Sequence, residues 1–178
     1  MYIEMPPDVH IFKPTCDSMN ELWSKVSQYD SLFGDGEKDN GKFFSRILSP
    51  TSVVLETEDH NAILYMYDLI PDHVAEIHAV FFDKQLSRRA PVLMDCLTWA
   101  FVNFNLQRLE ASIPVFAMTL CRVLEKKLHF TREGVLRKRA KCNGRFCDLI
   151  IFSLLREEHE EWVNKNRKKL DLHLTFKT

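Results

Sequence analysis

The 178-residue chain predicts a mixed α/β layer fold, and three features of the sequence predict it. Strand-like runs cluster between residues 52 and 83. Segments with apolar residues at helical spacing stand before and after that cluster. The chain then closes with a strand, a Gly-bearing basic turn and a second strand, "FTREGVLRKRAKCNGRFCDLIIFSLLREE" from Phe130 to Glu158. Strands grouped before and between helices bury their apolar faces by layering against them.

The elements follow in order. "DVHIFKP", Asp8 to Pro14, is a short first strand ended by its proline. Thr15 or Asp17 caps a helix running to about Tyr29, with Met19, Leu22, Trp23 and Val26 on one face. Phe33 to Gly41 is a loop by its Gly and Asp content, and a short helix spans about Lys42 to Leu48 before Pro50. "SVVLETED" and "NAILYMYDLI" are strands joined by a turn at Asp59–Asn61. A third strand, His73 to Asp83, places Glu76, His78 and Val80 on one face and Ala75, Ile77 and Ala79 on the other. Ser87 to Phe104 reads as a helix with Ser87 as N-cap and Pro91 in its first turn. "RLEASIPV" is a strand and "AMTLCRVLEKKL" a helix. After the hairpin, which turns near Cys142–Gly144, residues Arg156 to Leu170 form a helix that is acidic first and basic last, matching the helix dipole. "DLHLTFKT" alternates and can pair as an edge strand. The order is β-αα-βββ-α-β-α-ββ, read as one domain over residues 1–178, with 156–178 as a helical extension and tail.

Bulk properties exclude several classes. Hydrophobic residues are 46%, charged residues 28% and net charge −1, so nothing draws the whole chain to nucleic acid or to acidic membranes. The longest apolar run, "DLIIFSLL", is too short to span a bilayer. "MYIEMPPDVH" lacks the charged and apolar regions of a signal peptide. The five cysteines are odd in number and scattered, and Cys142 and Cys147 are not spaced as zinc ligands. Reduced thiols in a cytoplasmic protein and no metal are the expectation. His159 lies among glutamates without the His-Glu-x-x-His zinc spacing.

Three segments together resemble the GNAT superfamily of N-acetyltransferases, in the branch that includes the ribosomal-protein-alanine acetyltransferases. "LQRLEASIPV" resembles the strand after the cofactor helix. "TLCRVLEKKLHFTREGVLR" resembles the helix-to-strand segment with its Glu-Lys and Glu-Gly-x-x-Arg, and "NGRFCDLIIFSLLREE" the closing strand. The likeness runs in order from about Ser52 to Glu158. It implies a central, mostly antiparallel mixed sheet flanked by helices, with the hairpin as its terminal strand pair. It implies direct acetyl transfer from acetyl-CoA to a primary amine, the pantetheine arm lying along Ala79 to Phe82 and the pyrophosphate at the next helix N-terminus.

The resemblance carries cofactor contacts to Phe81, Phe82, Gln85, Ser87, Arg88, Arg89, Ala90 and Met118. The phosphate turn departs from the family, because Arg88 stands where a glycine is usual. Arg88 and Arg89 either obstruct the phosphate or grip it as charged donors. They oppose the helix dipole, which favours a bound anion as the explanation. Met118 and Cys121 replace the usual Asn and Ser of the last helix, His129 replaces a Gly, and no Tyr acid is evident there. Cys121 is a candidate acid for the departing thiolate, against a plain role as a small core residue.

Glu76 is the first candidate base, since a mid-strand carboxylate among apolar residues needs a reason. His78 on the same face is the second. Tyr65 and Tyr67 can line the acceptor side, but are read first as sheet packing. The basic residues Arg132, Arg137, Lys138, Arg139, Lys141 and Arg145 gather on the final hairpin and are read first as a solvated face. The alternative to an enzyme is a catalytically degenerate GNAT-like subunit that binds a partner, with Trp162 of the C-terminal helix as its docking residue.

Overall fold

The computed structural model describes residues 2–28, 39–83, 89–170 and 176–177. Nine strands and five helices are recorded: β1 Tyr2–Ile3, β2 Val9–Ile11, α1 Cys16–Val26, α2 Asn40–Ile47, β3 Val53–Thr57, β4 Ala62–Ile70, β5 Val74–Phe81, α3 Ala90–Asn103, β6 Arg108–Pro114, α4 Met118–Lys127, β7 Thr131–Cys142, β8 Arg145–Leu155, α5 Arg156–Leu170 and β9 Phe176–Lys177. Seven strands form one sheet in the order β2-β3-β4-β5-β6-β8-β7. Every neighbouring pair is antiparallel except β5 and β6, which run parallel. A parallel pair needs a crossover, and α3 supplies it.

Alternation sorts the side chains into two cores. Leu64, Met66, Ala75 and Ile77 join residues of α3 and α4 on one face of the sheet. Ile63, Tyr65, Tyr67 and Val80 join Met19, Leu22 and Val26 of α1 and Phe43 and Ile47 of α2 on the other. The sheet is therefore the middle of three layers. The helices have stated causes. Thr15 closes a capping box with Ser18 at the start of α1. Asp39 accepts from the amides of Gly41 and Lys42 at the start of α2. The β7–β8 hairpin turns at Asn143 and Gly144, whose φ values of 51° and 75° are left-handed.

Some boundaries differ from expectation. α3 starts at Ala90, so Arg89 and not Ser87 takes the N-cap position, and it makes no side-chain cap bond. Pro91 needs no amide donor in the first turn, which lets the helix begin there. Tyr2–Ile3 forms a strand too short to show a period, and it pairs with Phe176–Lys177 of the alternating tail in a separate two-stranded ladder. Trp162 is half-buried: one side packs against the larger core, and its ring is tilted against that of His129 with centroids 4.5 Å apart. The left-handed backbone at His129 stands where the family has Gly. No described helix is long and apolar enough to cross a membrane.

Candidate active site at the strand splay

The ladder between β5 and β6 is short. Val74, Ala75 and Glu76 pair with Arg108, Leu109 and Glu110, and no pair is recorded beyond them. β5 nevertheless stays paired to β4 through Phe81, and β6 stays paired to β8 through Pro114. From Ile77 onward the two strands part, and one backbone edge of β5 is left without a strand partner. Pro114, at the open end of β6, has no amide hydrogen to offer.

A cleft occupies the split on the α3–α4 side. Its walls are Ile77, Ala79 and Phe81 of β5, Ala111 and Ile113 of β6, Leu93 and Leu97 of α3, and Leu120 and Leu124 of α4. Each helix contributes a pair four residues apart, which places both side chains on one face. A trough opens on the opposite face of the sheet, bordered by Arg46, Asp68, Glu110, Leu136, Arg139 and Cys142 among others. His78, Ser112 and Pro114 line both. The cleft and the trough therefore meet where β5 and β6 separate.

Tyr67 of β4 faces that junction. It is the register partner of Glu76, and its hydroxyl lies 2.9 Å from Nε2 of His78. Burial, reinforced by a hydrogen bond and the charge of Glu76, raises the Tyr67 phenol well above the ordinary tyrosine range. Tyr67 thus stands between the His78 imidazole and the Glu76 carboxylate, and the three side chains form one polar line across β4 and β5. Arg46 lies 4.7 Å from the Tyr67 ring centroid, and Tyr65 packs 5.2 Å from the His78 ring. Glu110 is engaged by Arg108, with Nε 2.6 Å from its carboxylate, and Arg108 also reaches Glu133.

The expected site residues scatter more than the sequence suggested. Glu76 and His78 come together, half-buried on the trough face. Phe81 lines the cleft, whereas Phe82 turns to the α1 side, where Lys25 lies 5.7 Å from its ring. Ala90 is buried at the first turn of α3. Arg89 is clasped by two carboxylates: Nε donates to Asp83 at 2.9 Å, and Nη2 donates to Asp83 and to Asp59, each at 2.6 Å. That clasp holds the Asp59 carboxyl well below its usual range. Its guanidinium is thus engaged by aspartates, not held open for a phosphate. Gln85, Ser87 and Arg88 lie outside the described residues. Met118 is 47% exposed at the start of α4, beside the equally open Phe116.

Cys121 departs from expectation. It is buried in the α3–α4 core and does not line the cleft, because the helix turns Leu120 and Leu124 there instead. Burial, helped by the charge of Glu125, raises its thiol pKa. Residues that sequence reading passed over are Asp68, Glu110 and Ser112. Tyr67 was read first as packing and second as an acceptor-side residue, and its alignment opposite Glu76 depends on the β4–β5 register. Among the described residues no group of three or more His, Cys, Asp or Glu could hold a metal ion.

No known family profile matches the chain. An uncharacterized N-acetyltransferase p20 of Bacillus licheniformis is 35% identical over 63 residues, which are 35% of this chain and 35% of that relative. Solved structures match over nearly the whole fold. A spermidine N-acetyltransferase of Vibrio cholerae, in complex with CoA and spermine, superposes with a TM-score of 0.67 at 15% identity, covering 87% of this chain and 99% of that one. RimL, a ribosomal-protein alpha-N-acetyltransferase in complex with coenzyme A, gives a TM-score of 0.67 at 13% identity, covering 88% and 99%. A sheet with a single parallel pair that splays beside the crossover helix, together with these likenesses, gives the chain the same fold as these N-acetyltransferases.

Proposed function

We propose that the protein transfers an acetyl group from acetyl-CoA directly to a primary amine. The observation that carries this reading is the junction at His78, Ser112 and Pro114, where a cleft on one face of the sheet meets a trough on the other. Two ligands entering from opposite faces can touch only there.

The described residues fit acetyl-CoA. The free edge of β5 over Ile77–Phe81 offers backbone donors and acceptors to an extended amide chain. The first turn of α3 has no side-chain cap, so its amides and dipole can face the phosphates. Phe81 and Ala79 wall the arm, and Ala90 keeps the helix start narrow. Bound there, acetyl-CoA supplies a thioester that an amine opens in one displacement.

The chain's own residues handle the amine and its proton. An amine arrives protonated, and the carboxylates Asp68, Glu76 and Glu110 border the trough that receives it. Glu76 accepts the proton, either directly or through the His78–Tyr67 line. Tyr67 stays protonated at neutral pH and so remains a donor to Glu76. The cleft walls are mostly apolar, which limits water at the thioester.

The comparisons support this reading, since the Vibrio cholerae enzyme binds CoA and an amine. One observation favours a second reading, a CoA-binding subunit without turnover: α4 presents only aliphatic side chains to the cleft, leaving no acid for a departing thiolate. Thermal melts with CoA and acetyl-CoA, followed by thiol release with a panel of primary amines, separate the two. An upward shift with amine-dependent release supports acetyl transfer. A shift without release supports the second reading, and no shift at millimolar ligand sinks both. Glu76→Gln is expected to lower kcat about 10²-fold or more with little change in the acetyl-CoA shift.

A further inference from the structure

The β7–β8 hairpin carries a feature that acyl transfer does not use. Sγ of Cys142 and Sγ of Cys147 lie 3.1 Å apart. Register explains the approach. Cys142 pairs with Arg145 and Ala140 with Cys147, so the two cysteines sit diagonally on one face of a twisted two-stranded ribbon. Cys142 is buried, Cys147 is half-exposed, and neither is disulfide-bonded. The other three cysteines differ. Cys96 and Cys121 are buried in helices of the main core, and Cys16 is exposed on α1.

We infer that Cys142 and Cys147 form a reversible oxidation site that closes to an intra-hairpin disulfide. This does not depend on the acetyl-transfer reading. Covalent closure needs the sulfurs to move together by about 1 Å, to a bond of about 2.05 Å. The hairpin tip has room for that shift. Its turn is the two-residue Asn143–Gly144, and the ladder has a register break between Leu136 and Ala140 with Lys138 in a left-handed conformation. The tip beyond the break is held to the rest of β7 and β8 by few pairs.

The oxidant class is a small anionic disulfide such as glutathione disulfide. Arg145 shares the face of both thiols, and Lys141 and Arg139 flank them, so the tip attracts an anion. The exchange has two steps. The Cys147 thiolate attacks one sulfur of glutathione disulfide, and the first glutathione leaves as thiolate and takes up a proton. The Cys142 sulfur, having given up its proton, then attacks Sγ of Cys147 and expels the second glutathione, which takes up that proton. Two protein thiols are oxidised and one glutathione disulfide is reduced to two thiols. Cys142 borders the trough together with Leu149 and Ile151 further along β8, so closure stiffens one wall of it.

Intact mass and peptide mapping of the folded protein test the site, after incubation with glutathione disulfide and alkylation of remaining thiols. The expected result is a loss of two hydrogens, a Cys142–Cys147 crosslink and full reversal by dithiothreitol. Cys16, with no neighbouring thiol, serves as the internal comparator and carries only a glutathione adduct. Cys142→Ser is expected to trap glutathione on Cys147, and Cys147→Ser to leave Cys142 reduced. Three outcomes overturn the inference: a persistent glutathione adduct on Cys147 in the unaltered protein, no reaction at the pair while Cys16 reacts, or a crosslink involving a different cysteine. The mapping on the unaltered chain stands even if a variant fails to fold.

Discussion

His159 ties α5 to α3, and its titration sets an acid limit on stability. It is 3% exposed, stacks on Phe101 at 5.0 Å, and places Nε2 2.7 Å from the hydroxyl of Thr98. That hydroxyl also donates to the Met94 carbonyl, so its single hydrogen is spent and His159 Nε2–H must be the donor. Burial pushes the His159 pKa down to about 4 from 6.5, with Glu160 opposing and His129 reinforcing the shift. The unfolded chain therefore takes up a proton in a range where the folded chain does not. Stability is highest above the unfolded pKa and is lost as pH falls from about 6.5 toward about 4. For those two values the loss at about pH 5 is about 2 kcal/mol, or roughly 4–8 °C in Tm for a domain of this size. His129, also depressed by burial, adds in the same direction. His60, raised by Glu56, opposes it, but from an exposed position. The carboxylates held low by partners, Glu21, Glu133 and Glu161, release their contributions at lower pH. The assay is urea unfolding at about pH 7.5 and about pH 5 for the unaltered chain and for His159→Phe. Phe keeps the stack, and Thr98 keeps its bond to Met94. The variant is expected to be less stable at neutral pH and to lose about 2 kcal/mol less on acidification. Parallel pH dependences in the two proteins refute a neutral, buried His159.

Other predictions follow from the same geometry. Tyr67→Phe removes the hydroxyl between His78 and Glu76, and should cost about 1–3 kcal/mol of stability and shift the acid limb of the kcat profile, read by pH-rate measurements. Retention of the unaltered pH profile contradicts the relay. Arg89→Met leaves Asp59 and Asp83 facing each other across the start of α3, and should lower urea stability by about 1–3 kcal/mol, an effect that shrinks as acid protonates the Asp59 carboxyl that Arg89 holds low. Phe152, with no exposed surface in the sheet centre, should cost about 3–5 kcal/mol when changed to Ala, measured by the same unfolding. Ala79→Leu fills the cleft at the free edge of β5, and should reduce the CoA-induced rise in Tm at least tenfold in apparent affinity while the melt without ligand stays within a few degrees.

Local chemistry made most of the elements readable. A helix cap at Thr15 or Asp17, the period-2 faces of β5, a turn near Cys142–Gly144 and the apolar spacing of α4 each rest on residues close together in the chain, and the structure settles the cap as Thr15 with Ser18. The same period put Glu76 and His78 on one face without any knowledge of neighbouring strands. Boundaries set by distant contacts were not readable in this way. α3 begins at Ala90, where Arg89 meets Asp59 and Asp83, and Asp59 lies on another hairpin. Trp162 meets His129 and the core across the fold, contacts that its own helix does not announce. The junction of the candidate site was the least legible part. Tyr67 meets His78 because β4 and β5 pair in one register, and the cleft exists because β5 and β6 stop pairing after Glu76 and Glu110. Propensity and alternation determine which way a side chain points from its own strand. Which side chains then meet, and where two strands part, depends on pairings across the sheet that no single segment encodes.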